Sequence, residues 1–234
     1  MSDLDYSDPW ELVQRGKLDL ALATYTELFN SSGRVFYLYN RGLVKLLMKT
    51  YASALEDFYG VIERRSRDML ADGDYLKVGT CQWCMGQPQK AISSWQVGLS
   101  AKYTDSAGGV VVPATLFFAA IRTHDAALLK EAKQLLQKAN QRNLYGWPGL
   151  LVGFLLEKTA EAELYDELWR IEGPSLYERF RGQAAFYVGL QSLKLGNRAT
   201  YWENLETCAT NPKGLLEHEY YIARYELDEH RGDK

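Results

Sequence analysis

Apolar residues recur at intervals of three and four along most of the chain. Leu18, Leu22, Tyr25 and Leu28 keep this spacing, as do Tyr51, Leu55, Phe58 and Ile62, and again Leu128, Ala132, Leu135, Leu136 and Ala139. This is the stripe of an amphipathic helix. Strand-like alternation is confined to Val110-Val111-Val112, which Gly108-Gly109 and Pro113 enclose. That run reads as a linker into a helix with Pro near its first turn. The pattern predicts helix pairs at about 8–31, 33–66, 68–103, 113–142, 147–171 and 174–210, and a last helix at about 213–230. The run Glu226, Asp228, Glu229, His230, Arg231 suits the polar outer end of a stack, so the last helix is expected to cap it.

The helices also repeat. Gly16-Lys17-Leu18 precedes Ala21, Tyr25 and Leu28, and Lys49-Thr50-Tyr51 precedes Ala54, Phe58 and Val61, a shift of 33 residues. Gly86-Gln87-Pro88 precedes Ala91, Trp95 and Gly98, a further 37 on. Ala132, Leu136 and Ala139 form a fourth set, Tyr165 and Trp169 a weaker fifth, and Gly196-Asn197-Arg198 precedes Tyr201, Leu205 and Cys208 as a sixth. A small residue, an aromatic four later and a small residue three after that resembles the second helix of a tetratricopeptide repeat. The mid-helix glycine usual in the first helix of that repeat falls at Gly42, Gly79, Gly153 and Gly189. The resemblance implies an all-α, right-handed α-α superhelix of about six helix pairs plus the capping helix. It would form a single solenoid over residues 1–234, with a possible flexible point near 104–112. Small residues let paired helices approach, and no pair buries its apolar face alone.

The second half resembles a narrower group. Tyr145-Gly146-Trp147-Pro148, Ala185-Phe186-Tyr187-Val188-Gly189 and the stretch from Leu216 to Leu227 look like the C-terminal half of bacterial tetratricopeptide adaptors. One branch of these is outer-membrane lipoproteins. The lipoprotein signal and its lipid-bearing cysteine are not in this sequence, so only the adaptor role is implied.

Composition narrows the function. Of 234 residues, 47% are hydrophobic and 24% charged, which suits an ordered globular chain rather than a disordered one. The net charge of −3 gives no basic footprint for nucleic acid. The acidic start, Met1-Ser2-Asp3-Leu4-Asp5, is not a signal peptide, and no apolar run is long enough to span a membrane. Three cysteines, an odd number, argue against a secreted disulfide framework and for a cytoplasmic location.

Candidate chemistry is sparse. Cys81-Gln82-Trp83-Cys84 is a C-x-x-C pair, but it falls inside a helix, and only the distant Cys208 could join it on a metal. His124, His218 and His230 are scattered, and His218-Glu219 lacks the second histidine of a zincin motif. No phosphate-cradling loop or nucleophile elbow is present. The run from Glu63 to Asp68 mixes both signs of charge and reads as a solvated helix end. These readings give no catalytic residue, no metal and no cofactor.

The tetratricopeptide resemblance places function on the inner surface, lined by the first helix of each pair. It points to Tyr39, Leu43, Leu76, Thr80, Trp83, Gln87, Phe154, Phe186 and Leu190 as partner-binding residues, with Leu46 and Leu150 beside them. The surplus loop after the third pair adds Tyr103, Thr104 and Asp105 as possible contacts. Tyr39, Leu43, Leu76 and Thr80 stand where carboxylate-clamp members of the family hold Lys and Asn. A hydrophobic helix or an extended segment is therefore the expected ligand. The leading expectation is a non-enzymatic adaptor for a protein or peptide. A bacterial immunity protein that neutralises a toxin is the alternative, and a cysteine-based redox or metal protein is a weaker third.

Overall fold

The computed structural model describes residues 8–104, 109–140 and 146–232. Among them are thirteen α-helices and no strand, apart from one isolated bridge between Ala71 and Tyr103. The chain divides into two compact units, residues 1–70 and 71–234. The first holds α1 (Pro9–Gln14), α2 (Leu18–Ser32), α3 (Val35–Leu47) and α4 (Tyr51–Arg64). The second holds α5 (Asp72–Trp83), α6 (Pro88–Gly98), α7 (Val111–Arg122), α8 (Ala126–Asn140), α9 (Trp147–Leu155) and α10 (Glu161–Leu168). It ends with α11 (Pro174–Lys194), α12 (Arg198–Ala209) and α13 (His218–Gly232).

One turn geometry recurs six times. Gly16, Lys49, Gly86, His124, Glu157 and Gly196 each adopt a positive φ between the two helices of a pair. In every case the next residue's N–H reaches back to the carbonyl five residues earlier, as in Thr50 to Lys45, Asp125 to Ala120 and Lys158 to Gly153, at 2.8–3.0 Å. This is the Schellman closure of a helix C-terminus. Three of the six positions carry a side chain in a region that favours glycine, so glycine alone marks only half of the pairs. The turns fall 33 to 39 residues apart, which is the repeat period read from the sequence.

Within a pair, small residues set the approach. A Cβ built on Gly79 of α5 would lie 2.2 Å from Nε1 of Trp95 on α6. Trp95 is fully buried, and its indole N–H donates to the Leu76 carbonyl at 3.2 Å. Gly42 of α3 faces Phe58 of α4 in the same way, at 2.9 Å. Side-chain caps fix several helix starts: Asp8 accepts from Trp10 N–H, Asp125 from Leu128 N–H, and Asn197 from Thr200 N–H. Val111 and Val112 belong to the first turn of α7 rather than to a linker. Their side chains are wanted there, because this start enters the core of the second unit.

In the first unit the main packing partners are neighbours in sequence: α1 on α2, α2 on α3, α3 on α4. In the second unit α13 departs from that rule. It packs on α12, and also on α11 and on α5, the first helix of the unit. Tyr221, Ile222, Ala223 and Leu227 are buried on it, together with His218, Glu219 and Glu226. The last helix is therefore more than a polar cap. Glu226, expected at the outer end, is inside, because Arg122, Trp83 and Tyr201 meet it there.

Candidate binding site

The residues expected on an inner surface have mixed fates. Leu43 is buried in the first unit, and Tyr39 beside it is half-buried, edge-on to Phe58 at 5.6 Å. In the second unit Leu76, Thr80, Trp83, Phe154, Phe186 and Leu190 are all buried. Trp83 and Phe186 are brought together through Phe118, with ring centres 4.8 and 5.1 Å apart along the run. Trp83 also stacks on Trp95 at 5.8 Å. α5, α6, α7 and α11 thus share one aromatic core. Gln87 is half-buried at the N-terminus of α6. Tyr103 and Thr104 are exposed, and Asp105 lies outside the described residues.

The buried acids of α13 and the residue run before it organise the polar side of this core. Glu226 Oε1 accepts from Trp83 Nε1 at 3.0 Å, and its Oε2 accepts from Arg122 Nε at 2.7 Å and from Tyr201 O–H at 3.3 Å. Glu219 Oε1 accepts from the Tyr187 hydroxyl at 3.1 Å. Burial pushes the Glu219 carboxyl above its ordinary range. His218 Nδ1 lies 3.1 Å from Glu219 Oε2, yet that oxygen takes part in no hydrogen bond. The contact is not an ion pair, because burial, with Lys77 nearby, pulls the His218 pKa down to about 3 and leaves the ring neutral. The other ring nitrogen sits 2.7 Å from the Thr115 hydroxyl. That hydroxyl donates to the Val111 carbonyl, so it accepts from His218 Nε2–H. Lys77, also buried, donates to the Leu216 carbonyl at 2.7 Å, and burial lowers its pKa.

Glu219, with Glu217 before it, lines a cleft of about 300 Å³. The starts of α7 and α9 and the first half of α11 form it. Trp147, Pro148, Leu151 and Phe180 supply an apolar wall, with Trp147 and Phe180 stacked at 5.2 Å. A relay of hydrogen bonds holds the polar wall. Trp147 Nε1 donates to Gln183 Oε1 at 2.8 Å, Gln183 Nε2 donates to Glu217 Oε2 at 3.0 Å, and Arg179 Nε donates to Glu217 Oε1 at 2.6 Å. The indole and amide are thereby fixed without a partner, which is what a preformed site requires. Residues 174–181 of α11 contain no fully buried side chain, whereas every residue from Gly182 to Leu190 is buried. The first two turns of α11 are open, as are its last four residues, Gln191 to Lys194.

The inner-surface reading named none of Arg179, Phe180 or Gln183. Trp147-Pro148 and the stretch from Leu216 were singled out as family-like, but nothing local joins them to α11. The thiols offer no competing centre. Cys81, Cys84 and Cys208 are buried, and burial pushes Cys84 and Cys208 well up, opposite to what a reactive thiolate needs. Among the described residues no group of three or more His, Cys, Asp or Glu gathers as a metal site, and no helix is long and apolar enough to cross a membrane.

The helix pairs and their six turns define an all-α helical-repeat chain of tetratricopeptide-like period. No family model matches the chain, and no curated protein does. Among solved structures it is similar to a tetratricopeptide repeat protein from Parabacteroides merdae, at 13% identity and a TM-score of 0.48, over 92% of this chain and 81% of that one.

Proposed function

We propose that this chain is a cytoplasmic, non-enzymatic adaptor that binds a protein or peptide segment. The cleft at Trp147 and Phe180 receives an apolar side chain of that segment. The observation that carries this reading is the cleft itself: an apolar wall opposite a polar wall on which Trp147, Gln183, Glu217 and Arg179 hold one another, with Glu219 Oε2 the lining oxygen left without a hydrogen bond. The stacked Trp147 and Phe180 of the apolar wall offer the aromatic anchors on which interfaces depend. The half-buried Tyr39 and Gln87 and the exposed Tyr103 and Thr104 are available for peripheral contact, whereas Trp83 and Phe186 act by building the core.

The test is affinity capture from the native cell with wild-type protein, Phe180→Ala and, as a surface control, Lys90→Ala. The expected result is one partner retained by wild type and the control and lost by at least about tenfold in Phe180→Ala, the size of a moderate hot spot. A partner held equally by all three would overturn the cleft as its site. Trp83→Ala is unsuitable for this purpose, since it removes a buried ring and the donor to Glu226.

A further inference from the structure

Trp169, at the end of α10, is 75% exposed. Its only ring contact among the described residues is Tyr177 of α11, 5.1 Å away, so one face of a large aromatic is left to solvent. Leu176, beside Tyr177, is also exposed. This apolar edge is separate from the Trp147–Phe180 wall and uses different side chains.

Charge around the edge decides what fits it. Between Glu161 and Glu172 there are five carboxylates against Arg170 alone, a local net charge of −4 in a chain whose whole net charge is −3. Glu163, Asp166 and Trp169 follow one another at intervals of three, on one face of the helix, while Leu164 and Leu168 are buried on the other. Arg170 is taken by Glu167. Glu161, Glu163, Asp166 and Glu172 form no ion pair among the described residues. An exposed ring on the same helix face as the unpaired Glu163 and Asp166 matches the guanidinium group, which stacks on aromatics and pairs with carboxylates. An apolar or acidic segment would leave these carboxylates unanswered or repelled.

We infer that the Trp169 edge of α10 and α11 is a second docking surface, and that its occupant is an arginine-rich segment of a protein partner. One arginine lies over the Trp169 ring, and neighbouring basic residues meet Glu163 and Asp166. An adaptor with this surface and the cleft can hold two segments at once.

The probe is a labelled (Arg-Gly)5 peptide, with (Glu-Gly)5 and (Ser-Gly)5 for comparison, titrated by fluorescence anisotropy onto the full chain at 50 and 500 mM salt. Only the arginine peptide is expected to bind, and less tightly at high salt. Trp169→Ala should weaken it about fivefold, the worth of one exposed cation–π contact. Glu163→Gln/Asp166→Asn should weaken it by a similar factor at low salt. Glu11→Gln/Asp19→Asn, with the same change in net charge, and Phe180→Ala should leave it unchanged. Equal binding to wild type and Trp169→Ala would overturn the proposal, as would binding of the serine peptide. Self-association on sedimentation that Trp169→Ala abolishes would assign the edge to a second copy and overturn it too.

Discussion

Each unit buries an acid, and the two solve the cost differently. In the first unit Asp57 accepts from Arg41 through Nε at 2.9 Å and Nη2 at 2.6 Å, and Lys45 lies 2.9 Å away. All three residues come from the adjacent helices α3 and α4. Hydrogen bonding to Asp57 raises the Arg41 pKa against the opposing effect of burial. In the second unit Glu226 draws Trp83 from 143 residues away and Arg122 from 104. Among the described residues Glu219 has no cation within hydrogen-bonding distance, and it is held by a tyrosine. The first unit is thus a near-neighbour stack, the regime in which repeat stabilities add along the chain. The second unit is closed by its last helix on its first, and it should unfold as one body.

Four substitutions break or sharpen this contrast. The largest effect is expected from Asp57→Ala. It leaves two cations without their shared partner, at a cost of about 3–5 kcal/mol. Hydrogen exchange should then rise across residues 9–64 while α5 to α13 keep their protection. A spread of exchange into α13 would show that the units are not energetically separate. Gly79→Ala comes next. The new methyl meets a ring locked by a hydrogen bond, and urea denaturation should show a loss of about 3 kcal/mol. That loss should appear as a single transition from α5 through α13.

The third test uses pH. His218 is neutral in the fold, with a pKa near 3 against an ordinary value of 6.5. The unfolded chain therefore takes up a proton that the folded chain refuses. Stability is lost as pH falls from about 6.5 towards 3, by about 2 kcal/mol at pH 5. Glu219 has the opposite sign: its raised pKa costs stability as pH rises through it. His218→Gln keeps an N–H for Thr115 and should remove the acid-side loss, read as a flatter stability curve between pH 6.5 and 5. A curve as steep as that of wild type would place the acid sensitivity elsewhere. The smallest effect is that of Gly42→Ala, about 1 kcal/mol. Its methyl meets the far end of the Phe58 ring at 2.9 Å, a milder overlap than the 2.2 Å at Trp95, whose ring is also held by a hydrogen bond. Equal losses at Gly42 and Gly79 would erase the distinction.

The stripe of apolar residues and the repeated small–aromatic–small pattern made the helix pairs legible, because both report local geometry. Ala91 and Trp95 are buried at the places the pattern gives them, and Gly79 faces Trp95 as the close approach demands. The turn at Glu157 escaped notice, since a left-handed glutamate has no compositional mark. The cleft escaped as well. Trp147 and Phe180 are 33 residues apart and on different pairs, and the relay through Gln183 to Glu217 exists only once α9, α11 and residue 217 are packed together.

What the amino-acid sequence determined by itself was therefore the all-α class, the period of the pairs and the near-neutral charge. Each of these follows from residues within one or two helical turns or from a simple count. What only the tertiary structure decided was which face of each first helix is free. The period places Trp83, Phe186 and Leu190 on the first helices of their pairs, and the same is true of a core residue and of a groove residue. The choice between them was made by α13, which packs on α5 and turns its acids inward. A contact made across more than a hundred residues leaves no periodic trace, because it depends on the accumulated rotation of every pair between them.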